Sequence, residues 1–165
     1  MVPIMASDRE LFDLWYAKPL ELLEKMPNGQ GGFVVLAIAC FLYERYAKSL
    51  LKSQGKKANS ENMKAQLARD FSVDEESANT FWDVIRDGIL HQGMPIQKAN
   101  NVNLPPWGFN ASYPALLLDE INGQPFLKVE PFKFMHRVLE LWEGNFDLLQ
   151  ANESFPWAAI TRVPQ

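Results

Sequence analysis

The 165-residue sequence predicts an all-α fold, a bundle of four to five helices with one small β-hairpin before the last helix. Three observations predict it. Two stretches of the S-x-x-E type, "SDRE" at 7–10 and "SVDE" at 72–75, each open a run of apolar residues at helical spacing. The longest apolar stretch, "FVVLAIACFLY" at 33–43, is apolar nearly all round and must be surrounded by other elements. Only "ALLLDEINGQPFLKV" at 115–129 places two short apolar runs on either side of an Asn-Gly turn.

The elements follow in order. After Ser7 and Glu10, the residues Leu11, Phe12, Trp15, Leu22, Leu23 and Met26 recur at helical spacing, and Pro19 removes one hydrogen bond, which implies a kink or two abutting helices. "PNGQGG" at 27–32 is a turn, and a central helix spans 33 to about 53. A short helix from about 60 to 71 puts Met63, Leu67 and Phe71 on one face. The next helix carries Ala78, Phe81, Trp82, Ile85 and Ile89 as its buried stripe and stops at Gly93 and Pro95. Residues 94–114, rich in Asn and Pro, read as a long loop before the hairpin at 115–129. Pro131 suits the first position of a last helix with Phe132, Met135, Leu139, Trp142, Phe146 and Leu149 on one side. The whole is one domain, 1–165, with its core in 7–150 and a patternless tail at 151–165.

Composition narrows the function classes. A hydrophobic content of 47% with 22% charged residues belongs to a folded chain, and a net charge of -4 argues against indiscriminate coating of nucleic acid, though a local basic groove is compatible with it. Cys40 is the only cysteine and lies in the apolar run, so no internal disulfide forms and it reads as a small core residue suited to a reducing cytosol. The opening residues show neither a basic region nor an apolar one of the secretory kind, and 33–43 is about half of what a membrane helix needs. The expectation is a cytoplasmic chain with no membrane partner. No Cys/His set or carboxylate cluster suggests a metal, and no cofactor motif is present in the sequence.

"FWDVIRDGILHQG", 81–93, gathers the chemistry-bearing residues. Arg86 and His91 are five apart, about 140° around an ideal helix, and share a face only if the helix loosens between them; Gly88 and the nearby stop make that loosening plausible. Asp87 and His91 are four apart, so the carboxylate can hold one imidazole nitrogen and turn the other outward. A cationic histidine also suits the last turn of a helix. The competing reading is plain: histidines cap final carbonyls, and Asp83, Arg86 and Asp87 can form no more than a solvated ion-pair face. Spacing alone leaves both open.

On these residues the chain resembles HEPN domains, the higher-eukaryote and prokaryote nucleotide-binding family. "IRDGILHQG" matches their Arg-x4-6-His signature, with Asp87 in the polar place after the arginine. A long central helix with an acidic residue in "LYERYAK", and a strand leading through a proline into "LKVEPFKFMHRVLELW", are similar in context. The resemblance covers about 33–150. It implies a metal-independent endoribonuclease of the toxin or defence type, a homodimer in which two motifs meet at one composite site. His91 would act as general acid or base, Arg86 would hold the scissile phosphate, and Asp87 would orient His91. The products would carry a 2′,3′-cyclic phosphate and a 5′-hydroxyl. RNA and a nucleotidyltransferase-like antitoxin are the partners such a protein would have. The alternative is a non-catalytic helical interaction module that binds a partner protein or nucleotide.

Other features bear on binding. Arg45, Lys48, Lys52 and Lys56 recur at three, four and four, a basic stripe that can track a phosphate backbone, although a solvated face is the more common meaning of such a stripe. Trp107, Phe109 and Tyr113 can stack bases; aromatics in a long loop more often pin it to the domain. Glu44 reads as an ion pair with Lys48 or a partner for Arg86, and His136 as a residue at the edge of the last apolar stripe.

Overall fold

A computed structural model describes residues 7–99 and 102–150; the tail at 151–165 lies outside the described residues. Ser7 caps the first helix as its capping box requires, accepting from Glu10 N–H at 3.3 Å while its own N–H donates to Glu10 Oε2 at 2.7 Å. Helix α1 (Asp8–Phe12) passes through a π turn, Asp13–Ala17, into α2 (Lys18–Glu24). Pro19 therefore makes no break: the widened turn sits just before it, where its missing N–H and bulky ring would disturb a regular helix. The buried face runs through Phe12 and Leu20, and Trp15, Leu22 and Met26, expected inside, are exposed.

Helix α3 (Gly32–Ser53) is the axis of the molecule. Its residues Val35, Leu36, Ala39, Cys40, Tyr43, Ala47 and Leu51 are buried, and burial pushes the Cys40 thiol far up its scale, so it is inert packing. Helix α4 (Ser60–Phe71) is capped by Asn59, and α5 (Glu75–Phe81) by Asp74, whose Oδ1 accepts from Ser77 N–H at 2.7 Å. The second capping box expected at Ser72 is not formed. Ser72 adopts a left-handed conformation (φ 53°) that closes α4 instead, and the neighbouring carboxylate takes the cap. A π turn, Trp82–Arg86, joins α5 to α6 (Asp87–Gln92).

The last helix divides. Pro131 opens α7 (Pro131–Glu143), Gly144 ends it, and Asp147–Gln150 forms a separate short α8. Helix α7 runs in the same direction as α3: Pro131 lies beside Gly32 at one end, and about three turns further along both helices Trp142 Nε1 donates to the Leu42 carbonyl at 3.1 Å. Phe134 of α7 stacks between Phe71 and Phe81, at 4.6 and 4.8 Å between ring centres, which ties α4, α5 and α7 together.

The all-α expectation is overturned by a sheet. Strands β4 (Leu116–Ile121) and β5 (Gln124–Val129) form the expected hairpin through Asn122 and Gly123, whose positive φ angles of 53° and 75° are those of a tight two-residue turn. However, β3 (Trp107–Phe109), in the stretch expected to be loop, pairs in parallel with β5 through Trp107↔Leu127 and Phe109↔Val129. A three-stranded mixed sheet in the order β3-β5-β4 results, with a second ladder between β1 (Lys98–Ala99) and β2 (Val102–Asn103). The fold is therefore mixed α and β. Leu116, Leu127 and Val129 bury one face of the sheet, and Ser77 of α5 accepts from Leu118 N–H at 2.9 Å along the outer edge of β4.

Candidate functional site

The π turn sets the direction of Arg86. An extra residue in that turn, with Asp87 N–H reaching back to the Trp82 carbonyl, leads into α6 with its regular geometry from Asp87 onward. The loosening therefore precedes Arg86 and does not lie between Arg86 and His91. Five positions of ordinary helix keep those two side chains about 140° apart within one chain.

Arg86 faces α3. Its Nε and Nη2 donate to Glu44 Oε2 at 3.2 and 2.5 Å, its Nη1 donates to Asp87 Oδ1, and its guanidinium lies 4.6 Å over the Trp82 ring. Glu44 Oε1 accepts in turn from Lys48 at 2.5 Å, so both readings of Glu44 hold at once. Burial opposes the charges here, yet the hydrogen bonds from Arg86 and Lys48 prevail and hold the Glu44 carboxyl below its ordinary value. Burial likewise works against the Arg86 charge, and the bonds to Glu44 and Asp87 outweigh it, raising that group.

Asp87, expected to orient His91, is engaged by Arg86. His91 stands exposed in the last turn of α6, with no side-chain hydrogen bond or ion pair among the described residues. Arg86 and Asp87 are thus brought together and His91 stands apart.

The basic stripe is brought together in full. Arg45, Lys48, Lys52 and Lys56, with Ser49 and Ala58, line one open concavity of about 280 Å³ on the C-terminal half of α3. Lys48 belongs both to this groove and to Glu44, so the groove connects through Glu44 to Arg86. Trp107 and Phe109 pack half-buried against the core, 5.0 Å apart, and Lys133 Nζ donates to the Tyr113 carbonyl at 2.6 Å; these aromatics are pinned. His136 pairs with Glu24 at 3.0 Å on the surface.

Two features had no counterpart in the sequence reading. Tyr43 of α3 donates to Asp70 Oδ2 at 3.0 Å, Gln66 donates to Asp70 Oδ1 at 2.8 Å, and Arg137 of α7 donates to the Asp70 carbonyl at 2.8 Å. Burial raises the Asp70 carboxyl, and its hydrogen bonds and the nearby arginines only partly offset that. The second is a concavity of about 670 Å³ just past His91, lined by Gln92, Pro95, Ile96, Gln97, Asn103 and Leu104 among others. Sequence spacing carries no signal for either, because each is assembled from separate elements.

Among the described residues no cluster of three or more His, Cys, Asp or Glu is placed to hold a metal ion, and no helix is long and apolar enough to cross a membrane. No family model, curated protein or solved structure matches the chain.

Proposed function

We propose that this is an RNA-binding protein of HEPN-like type that grips the phosphate backbone along the C-terminal half of α3. The observation that carries the reading is the convergence of Arg45, Lys48, Lys52 and Lys56 on one open groove in a chain whose net charge is -4. A chain repelled overall by polyanions binds them only where cations are concentrated. Lys48 is shared with Glu44, so the exposed Lys52 and Lys56 supply about two phosphate contacts. Affinity for single-stranded RNA then falls with added salt at a log–log slope of about -1.4. The Lys52→Glu, Lys56→Glu double variant weakens binding tenfold or more, while Lys18→Glu on α2 does not. Salt-indifferent binding, or equal binding by the groove variant, overturns the reading.

A second reading, metal-independent endoribonuclease action, is favoured by one observation: the exposed imidazole of His91, free of side-chain partners among the described residues, is available to a second copy of the chain. Arg86 and His91 diverge within one chain, so such a site takes one residue from each protomer of a homodimer. A nucleotidyltransferase-like antitoxin is the partner this reading adds. Incubation with mixed RNA in EDTA yields 2′,3′-cyclic phosphate ends, lost in Arg86→Ala and His91→Ala; the same cleavage by all three proteins refutes it.

A further inference from the structure

The concavity beyond α6 differs from the basic groove in every chemical respect. Three primary carboxamides, Gln92, Gln97 and Asn103, line it together with the apolar walls of Pro95, Ile96 and Leu104. The three amides are exposed, and none has a side-chain hydrogen bond among the described residues. One wall is fixed to the helix behind it and the other to the segment that carries Gln97. Ile96 N–H donates to the Val84 carbonyl at 3.0 Å, and Leu104 N–H donates to the Gln97 carbonyl at 2.9 Å. Gly88 allows the chain to lie this close, since a Cβ there would stand 2.5 Å from the Met94 carbonyl oxygen and 2.7 Å from Ile96 N.

We propose that this concavity is a nucleobase subsite, deepening the RNA-binding reading on which it rests. Among the described residues its lining carries no charged side chain, which disfavours phosphate as the occupant. A carboxamide presents one acceptor and two donors in a plane, and the edges of the bases offer neighbouring donors and acceptors that such a fork pairs bidentately. Proline and aliphatic walls supply the flat apolar contact that a base face takes when it leaves its stack. About 9 Å of helix separates Gln92 from Arg86, which is linked to the groove through Glu44 and Lys48. The groove holds the backbone, and the amides read the base.

The test uses the full chain and two probes. In the first, each of the four ribonucleosides is titrated while the side-chain amide resonances of Gln92, Gln97 and Asn103 are followed by NMR. In the second, binding of short RNA homopolymers and of an abasic oligomer of equal length is measured by fluorescence anisotropy. Expected is a shift of those amide signals by at least one nucleoside, and a preference of roughly fivefold or more for the matching homopolymer over the abasic strand. That preference collapses in the Gln97→Ala, Asn103→Ala variant while the salt-dependent affinity for the abasic strand persists. No nucleoside shift, or an unchanged homopolymer ranking in the variant, overturns the subsite and leaves the groove standing. Absence of any RNA binding with nucleoside shifts retained overturns the groove and upholds the pocket.

Discussion

Replacing Gly88 by alanine isolates the contact on which α6 and its following segment depend. Gly88 has an ordinary helical backbone, so no left-handed conformation is at issue and only space decides the outcome. An added Cβ would stand 2.5 Å from the Met94 carbonyl oxygen, 2.7 Å from Ile96 N and 2.8 Å from Pro95 Cα, all backbone atoms that cannot rotate away. Residues 94–96 must move, and the bond from Ile96 N–H to the Val84 carbonyl at 3.0 Å is lost or stretched. Overpacking of this kind costs about 1–3 kcal/mol and a lost hydrogen bond about 1 kcal/mol. Better helix propensity of alanine returns up to about 1 kcal/mol. The balance is a destabilisation of about 1–3 kcal/mol. Urea unfolding followed by circular dichroism reads this as a midpoint lower by roughly 1 M, with the slope unchanged. A variant as stable as the parent, or more so, would refute the reasoning, because propensity would then have outweighed the clash.

Three further predictions follow from the contacts between elements. Glu44→Gln removes the charge that faces Arg86 and Lys48 and destabilises the chain by roughly 1–2 kcal/mol at neutral pH, as the pair is half-buried. The Glu44 carboxyl is held below its ordinary value, so at mildly acid pH the folded chain binds fewer protons there than the unfolded chain. Its contribution is therefore present above about pH 4 and is lost as pH falls through the lowered value; the gap between parent and variant in urea midpoint closes below that point. Ser77→Ala leaves Leu118 N–H without its acceptor at the edge of β4, costs about 1–3 kcal/mol, and speeds hydrogen exchange at Leu118 before that of Leu127 in the neighbouring strand. Trp142→Ala empties a fully buried site and breaks the bond to Leu42, with a loss of about 3–5 kcal/mol seen in thermal unfolding.

What the sequence made legible is what local physics determines. The Ser7 capping box, the Asn122-Gly123 turn and the stripe of Ala78, Phe81, Trp82, Ile85 and Ile89 are each specified by residues a few positions apart, and each is found where its spacing puts it. Partners distant in sequence were not legible. Strand β3 is three residues long, too short for alternation to show, and it exists because β5 offers an edge about twenty residues later. Ser72 and Asp74 both cap helices well, and only the left-handed closure of α4 selects between them. The partner of Asp87 could not be read either, since a π turn has no sequence signature and the side chain it directs is Arg86. The four cations of the groove were visible as a stripe; that Ala58, beyond the helix, lines the same concavity was not.

The π turn at Trp82–Arg86 makes helix length a rotational setting. The widened turn takes one residue more than a regular turn to come round the axis, so removing one residue from it restores regular helix and leaves the segment beyond nearly in phase. Removing one residue from α5 or α6 instead swings everything beyond by about 100°. Shortening by one residue is thus far less damaging within that turn than in the regular helix on either side.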